Sequence, residues 1–170
     1  MKKYKLFALV LIFLLVNCKT EKKDISTLTR IGEKLPDFTV ETLSGEIIST
    51  QSLAGNVSVI NFFATWCPPC QEELPHLQEM WQARKSDNFK LLVIGREHSR
   101  SELETFALTG NFTFPIAPDP DRSIYKKFAS QYIPRTYLLD TNGIIVMQTV
   151  GFTEKEFQSL LNKIDELLNN

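Results

Sequence analysis

The chain has 170 residues, 43% of them hydrophobic, which is enough for one ordinary globular core but not for two full domains. It carries 19 Lys and Arg against 20 Asp and Glu, a formal net charge of -1. Proteins that bind nucleic acid usually concentrate basic residues on one face, and this sequence has no such cluster. We therefore expect no nucleic-acid partner.

The first 17 residues have the pattern of a secretory signal. Three lysines precede an unbroken apolar run at residues 6–16, about half of the roughly 20 apolar residues that a membrane-spanning helix needs. The stretch Leu-Val-Asn-Cys at residues 15–18 resembles a bacterial lipobox, which implies cleavage before Cys18 and a lipid on its sulfur. A cleaved signal without a lipid and a retained anchor are the alternatives.

Three regions are therefore expected. Residues 1–17 form a lipoprotein signal peptide, residues 18–30 a flexible tether, and residues 31–170 a single domain. The tether is predicted because its polar residues show no apolar periodicity. A lipid on Cys18 would also account for the odd third cysteine of a secreted protein.

The domain begins with strand signals. Short strand candidates at residues 38–40 and 47–49 flank a turn that contains glycine, which predicts a hairpin. Residues 57–63 are apolar at five of seven positions, three of them β-branched, as in a strand buried on both faces. Apolar residues spaced by three and four then predict a helix that begins at the prolines at 68–69.

A second buried strand is predicted at residues 89–95. Ser101 and Glu104 have the spacing of a capping box, which predicts the start of the following helix. A short strand candidate at residues 112–117 and a turn at residues 118–120 come next.

The last part of the domain begins with a short helix near Asp121. Strand candidates at residues 135–140 and 144–150 flank an Asn-Gly turn, which indicates an antiparallel hairpin, and Thr153 caps the final helix. The order of elements predicts an α/β fold in which helices flank a mixed central sheet, with an N-terminal β-hairpin and a central helical insertion.

Cys67 and Cys70 form a C-x-x-C motif between a strand and a helix, which has three interpretations. A structural disulfide that closes so short a loop would stabilise the fold by only about 2 kcal/mol. A zinc site would need two more ligands, and the candidates are His76, His98 and Cys18. In a redox pair, the helix N-terminus would favour the thiolate of Cys67 as the attacking sulfur, and Cys70 would resolve the mixed disulfide.

The sequence around this motif resembles the TlpA/ResA branch of thioredoxin-like proteins. The resemblance rests on Asn-Phe-Phe-Ala-Thr-Trp-Cys-Pro-Pro-Cys at residues 61–70 and on Glu-Leu-Pro at residues 73–75. Residues 31–38 and 133–143 carry further matching motifs, so that it covers about residues 31–168. It implies a thioredoxin-like fold and a membrane-anchored thiol:disulfide oxidoreductase.

By this resemblance Pro134 is the cis-proline beside the active site, and the backbone of Ile133 pairs with a bound partner strand. Glu73 matches an acidic residue that adjusts thiol acidity and passes protons, although a solvated helix glutamate is the alternative. Asn61 stands where cytosolic thioredoxins carry a buried aspartate, a role that Glu73 would take over. The expected catalytic residues are Cys67, Cys70, Glu73 and Pro134.

The expected substrate-binding residues surround the cysteines. Trp66 would cover them, or be plain packing, and Pro68 and Pro69 stiffen the loop. Arg135 stands where the family more often has a small Thr or Ser, and we expect it to place a positive charge beside the partner groove. With the backbone of Ile133 these residues complete the predicted surface.

The resemblance also implies the partners: protein disulfides or dithiols as clients, among them apocytochrome c or copper-site cysteines, and a membrane electron donor. We expect a monomer held by the lipid on Cys18 at the periplasm-facing side of the bacterial envelope. No cofactor or metal is expected beyond the redox-active Cys67–Cys70 disulfide. The alternatives are a peroxiredoxin-like peroxidase, since residues 35–38 are shared with peroxiredoxins, and a copper(I)-binding metallochaperone.

Overall fold

The computed structural model describes residues 26–85 and 88–169. Its strands are β1 (Thr39–Glu41), β2 (Ile47–Ser49), β3 (Val57–Phe63), β4 (Phe89–Arg96), β5 (Ile116–Asp119), β6 (Arg135–Leu139) and β7 (Ile145–Val150). Its helices are α1 (Thr50–Leu53), α2 (Pro68–Arg84), α3 (Arg100–Gly110), α4 (Tyr125–Phe128) and α5 (Glu154–Leu168). The predicted order of elements is confirmed, and the single turn α1 is additional.

Five strands form one mixed sheet in the order β5-β4-β3-β6-β7. Strands β3, β4 and β5 are parallel, whereas β6 is antiparallel to both β3 and β7. Strands β1 and β2 form a separate antiparallel pair, the predicted hairpin. The predicted mixed sheet is confirmed, and its central strand β3 leads directly into the cysteine motif.

Strand β3 separates two hydrophobic cores because successive side chains of a strand point to opposite faces. Val59 and Phe63 pack in the core that contains the buried face of α2 and of α5. Ile60 and Phe62 pack in the other core, together with α4 and the hairpin. Asn61 therefore faces α2, which decides its role in the site.

Local hydrogen bonds fix where α3 and α5 begin. Ser99 caps α3: its hydroxyl accepts from the amide of Glu102, whose carboxylate accepts from the amide of Ser99 at 2.7 Å. The predicted capping box of Ser101 and Glu104 is therefore wrong by two residues. Thr153 caps α5, as predicted, by accepting from a backbone amide of the first turn.

Strand β5 differs from the prediction. Pro118 and Asp119, expected in a turn, are its last two residues, and the strand begins only at Ile116. A proline without a backbone donor is tolerated there because β5 is an edge strand, paired on one side only, with β4.

The packed part of the chain begins earlier than the predicted tether boundary at residue 30. Ser26 and Thr29 are buried, and Thr27 forms an antiparallel bridge with Ala129. The predicted signal peptide, Cys18 and the first part of the tether lie outside the described residues. Across the described ranges, no helix combines the length and the apolar character needed to cross a membrane.

Candidate active site

Cys67 and Cys70 lie where β3 leads into α2. Cys67 is the N-cap of α2, with its Sγ 3.3 Å from the backbone nitrogen of Cys70, and Pro68 occupies the first helical position, where no backbone donor is needed. The two cysteines form a disulfide with their Cα atoms 5.3 Å apart. Cys67 is 4% exposed and Cys70 is fully buried, so Cys67 is the sulfur that a client can reach.

The segment before β6 lies against this disulfide. The Ile133–Pro134 peptide bond is cis, as the resemblance implied. The carbonyl oxygen of Ile133 lies 3.8 Å from Sγ of Cys67. Within the described residues, neither the amide nor the carbonyl of Ile133 pairs with another backbone group, so both are open to an incoming strand.

A buried polar group lies behind the cysteines. Glu73 is only 3% exposed, which rules out the alternative of a solvated helix glutamate. Its carboxylate accepts from the amide nitrogen of Asn61 and from the hydroxyl of Thr136, each at 2.8 Å. Burial raises the pKa of Glu73 from 4.5 to about 7, against the lowering effect of these two hydrogen bonds. This carboxyl group can therefore exchange a proton near neutral pH.

Glu73 also lines a small cavity of about 10 Å³, together with Thr149 of β7 and with Thr153 and Glu156 at the start of α5. A space of this size holds about one water molecule.

Trp66 lies on the surface. Its side chain is 59% exposed, so it is not core packing, and the guanidinium of Arg96 stands 5.6 Å from the centre of its ring. The other neighbour of that guanidinium is the ring of Tyr125, at 4.9 Å. Pro68 is exposed and Pro69 partly buried, which places both beside the reachable cysteine.

Arg135 does not place its charge beside the partner groove, so that prediction is wrong. The residue is 1% exposed and shares the face of β6 that carries Tyr137 and Leu139, opposite α2 and the cysteines. The next residue, Thr136, points towards α2 and binds Glu73. In the described site, a positive charge does stand over the Trp66 ring, and it is that of Arg96.

His98 belongs to the site although it was predicted as a plain loop residue. It follows β4, and its Nε2 accepts a hydrogen bond from the backbone amide of Thr65 at 3.0 Å, two residues before Cys67. Burial lowers the pKa of His98 below 6.5, so the neutral acceptor form is favoured at neutral pH. The signal that predicts this contact is topological, because loops after neighbouring parallel strands meet at one edge of a sheet.

The other histidine packs away from the cysteines. His76 stacks on Phe152 and Phe157 at 5.2 and 5.4 Å between ring centres. In the part of the chain that the structure describes, no three His, Cys, Asp or Glu side chains form a group that could hold a metal ion.

With a C-x-x-C disulfide at the start of a helix beside a cis-proline, the protein is a thioredoxin-like thiol–disulfide oxidoreductase. It belongs to the AhpC/TSA family, whose model matches residues 31–148. Within that class the relatives confirm the ResA/TlpA type that the motifs indicated.

The relatives and solved structures are similar over most of their length. The chain is 36% identical over 135 residues to the thioredoxin-like protein YneN of Bacillus subtilis, covering 77% of this chain and 78% of the relative. It is 28% identical over 136 residues to the thiol-disulfide oxidoreductase ResA of Bacillus thuringiensis, covering 79% of each. A solved structure from Bacteroides thetaiotaomicron, described as a proposed protein disulfide isomerase, is 34% identical with a TM-score of 0.82, covering 85% of this chain and 94% of that one.

Proposed function

We propose that this protein reduces disulfides in other proteins through Cys67 and Cys70. The observation that carries the proposal is the disulfide at the N-terminus of α2, with its outer sulfur 3.8 Å from the open carbonyl of Ile133. A helix N-terminus stabilises a thiolate, and an open backbone segment beside it can bind the client as an added strand.

The reaction transfers two electrons from the reduced protein to the client. The Cys67 thiolate attacks one sulfur of the client disulfide, which forms a mixed disulfide and releases the client's other sulfur as a thiolate. The Cys70 thiolate then attacks Sγ of Cys67, which forms the Cys67–Cys70 disulfide and releases the second client thiolate. Two protons pass from the protein's thiols to the client's.

Glu73 is the group that handles the proton of Cys70. The two residues are three positions apart on α2, on the same buried face of the helix. Because the pKa of Glu73 is raised to about 7, its carboxylate can take up the Cys70 proton before the resolving step and return it to solvent afterwards. Asn61 and Thr136 hold the carboxylate in place.

Reduction of insulin by the reduced protein tests the exchange. The reduced wild-type protein should reduce insulin disulfides stoichiometrically on its own, and catalytically when dithiothreitol regenerates its thiols. Cys67→Ser should abolish both the stoichiometric and the catalytic reaction. The matched control is the double variant Cys67→Ser with Ser101→Cys. It has as many cysteines as wild type, but the added one stands at the exposed position 101 and not in the site. Activity of the Cys67→Ser variant would refute the assignment.

The direction of electron flow follows from the reduction potential of the pair. A reductant should have a potential near that of thioredoxin, about -270 mV, whereas an oxidant would lie near -120 mV. Equilibration with glutathione or thioredoxin of known potential measures it. A value near -120 mV would contradict the proposal and indicate an enzyme that forms disulfides in its clients.

We further propose that the protein works as a lipid-anchored monomer facing the periplasm, kept reduced by a membrane electron donor, with c-type apocytochromes among its clients. The basic start, the short apolar run and Cys18 support the anchor. Cys18→Ala should move the protein from the membrane fraction to the soluble fraction and abolish labelling by a fatty acid. Labelling that persists in this variant would contradict it.

The match to the AhpC/TSA family makes peroxidase activity the second candidate to measure. Consumption of hydrogen peroxide at catalytic rates by the reduced wild-type protein would favour it, and consumption at the rate of a free thiol would not.

A further inference from the structure

The guanidinium of Arg135 joins two separate segments of the chain. It donates to Oγ of Ser26 and, at 2.7 Å, to Oγ1 of Thr27, both near the start of the described chain. Its Nε donates to the carbonyl oxygens of Gln131 at 3.0 Å and of Tyr132 at 3.2 Å. One buried cation therefore binds the N-terminal segment and the loop that precedes the cis-proline.

That loop has a backbone conformation that needs support. Tyr132 has φ +67°, in the left-handed region that residues other than glycine, asparagine and aspartate seldom adopt. Its carbonyl also accepts from the hydroxyl of Tyr125 at 2.6 Å, so two donors converge on one oxygen. Tyr132 is 60% exposed, and it comes one residue before the Ile133 carbonyl that faces Cys67.

The N-terminal segment, residues 26–30, is here called the strap, and it packs on the chain just before this loop. The amide of Leu28 donates to the carbonyl of Phe128 at 2.9 Å, and the amide of Ser130 donates to the carbonyl of Ser26 at 2.8 Å. Arg135 extends this contact from the strap to the carbonyls next to Ile133.

We propose that Arg135 is a positioning residue for client binding, which holds Tyr132 and Ile133 in the conformation that a client protein meets. The inference rests on the proposed disulfide exchange at Cys67. Because Arg135 lies on the face of the sheet opposite the cysteines, its loss should weaken the binding of a protein client and leave the chemistry of the disulfide unchanged. A small thiol needs no contact with this loop, so it should reduce the Cys67–Cys70 disulfide equally fast in the variant and in wild type.

Two readouts on the full chain separate these effects: kcat and KM for insulin with excess dithiothreitol, and the rate at which dithiothreitol alone reduces the Cys67–Cys70 disulfide. Arg135→Met should raise KM on the order of tenfold, with kcat and the dithiothreitol rate within about twofold of wild type. Arg135→Lys, which keeps the charge but lacks Nε, should fall between wild type and Arg135→Met.

The double variant Ser26→Ala with Thr27→Val removes the strap side of the bridge and tests the proposal if Arg135→Met does not fold. It should also raise KM, whereas Thr29→Val, which removes the strap hydrogen bond to Gln148 but keeps the hydrogen bonds of Arg135 to Ser26 and Thr27, should not. Any of three results would overturn the inference alone: an unchanged KM in both Arg135→Met and the double variant, an equal rise of KM in Thr29→Val, or a rate of reduction by dithiothreitol that falls as KM rises. A wild-type protein that dithiothreitol reduces but that reduces no insulin would overturn the proposed function as well.

Discussion

Replacing Glu73 by glutamine should make the protein more stable above neutral pH. The buried carboxyl group ionises at about pH 7 in the folded protein and at about 4.5 in the unfolded chain. Between these values the folded state holds a proton that the unfolded state has lost, so the contribution of Glu73 to the free energy of unfolding falls as the pH rises. Above the folded pKa the full cost of burying a carboxylate applies.

The size of this effect follows from the shift. Each pKa unit corresponds to about 1.4 kcal/mol, so the difference between the two states is on the order of 3 kcal/mol at pH 8. Glutamine is neutral at every pH and has the shape of the protonated acid. It can accept from Asn61 through its oxygen and donate to Thr136 through its nitrogen, so that both hydrogen bonds of the wild type have a counterpart.

Urea denaturation of the oxidised protein at pH 5 and pH 8 measures the difference. Glu73→Gln should be about as stable as wild type at pH 5 and more stable by roughly 2–3 kcal/mol at pH 8. Glu72→Gln, at the exposed neighbouring position on the same helix, should differ from wild type by the same amount at both pH values. A Glu73→Gln difference that stays constant or shrinks between pH 5 and pH 8 would refute the buried, proton-binding carboxyl group.

Two further predictions concern local hydrogen bonds. His98→Phe leaves the amide of Thr65 without its acceptor and should lower the free energy of unfolding by about 1–3 kcal/mol at pH 7. Because the pKa of His98 is lowered in the folded state, the unfolded chain takes up its proton first, so the stability advantage of wild type over His98→Phe should be smaller at pH 5 than at pH 7. Ser99→Ala should cost about 1 kcal/mol in urea denaturation and Ser101→Ala close to none, since only Ser99 caps α3. The opposite order would contradict the cap.

The elements that the sequence pattern predicted best are those whose pattern is local. Five of the seven residues of β3 are apolar, and the predicted bounds are those of the structure. The start of α2 follows from the prolines after Cys67, because a proline is favoured in the first helical turn and an apolar helical stripe follows these two.

The errors in the elements arise where a local pattern is ambiguous. Ser99 with Glu102 and Ser101 with Glu104 both satisfy the capping-box spacing, and the end of β4 at Arg96 decides between them. Pro118 reads as a turn signal, and only its place on an edge strand makes it compatible with β5.

The residues of the site also divide into those that a local sequence pattern indicates and those that only the pairing of the strands brings together. The resemblance to the family motif indicates Glu73, whereas its partner Thr136 lies on a distant strand. Alternation along β6 would have placed Thr136 on the face of α2 and Arg135 on the opposite face, but only once β6 is known to pair with β3. His98 likewise needs the parallel pairing of β3 with β4.

In the proposed exchange Cys67 attacks the client and Cys70 resolves the mixed disulfide. Incubating the reduced Cys70→Ser variant with a disulfide-containing protein and mapping the adduct by mass spectrometry tests this order of attack. A stable mixed disulfide should form on Cys67, and none should form in the Cys67→Ser variant. An adduct that forms on Cys70 in the Cys67→Ser variant, or the absence of an adduct in both, would contradict it.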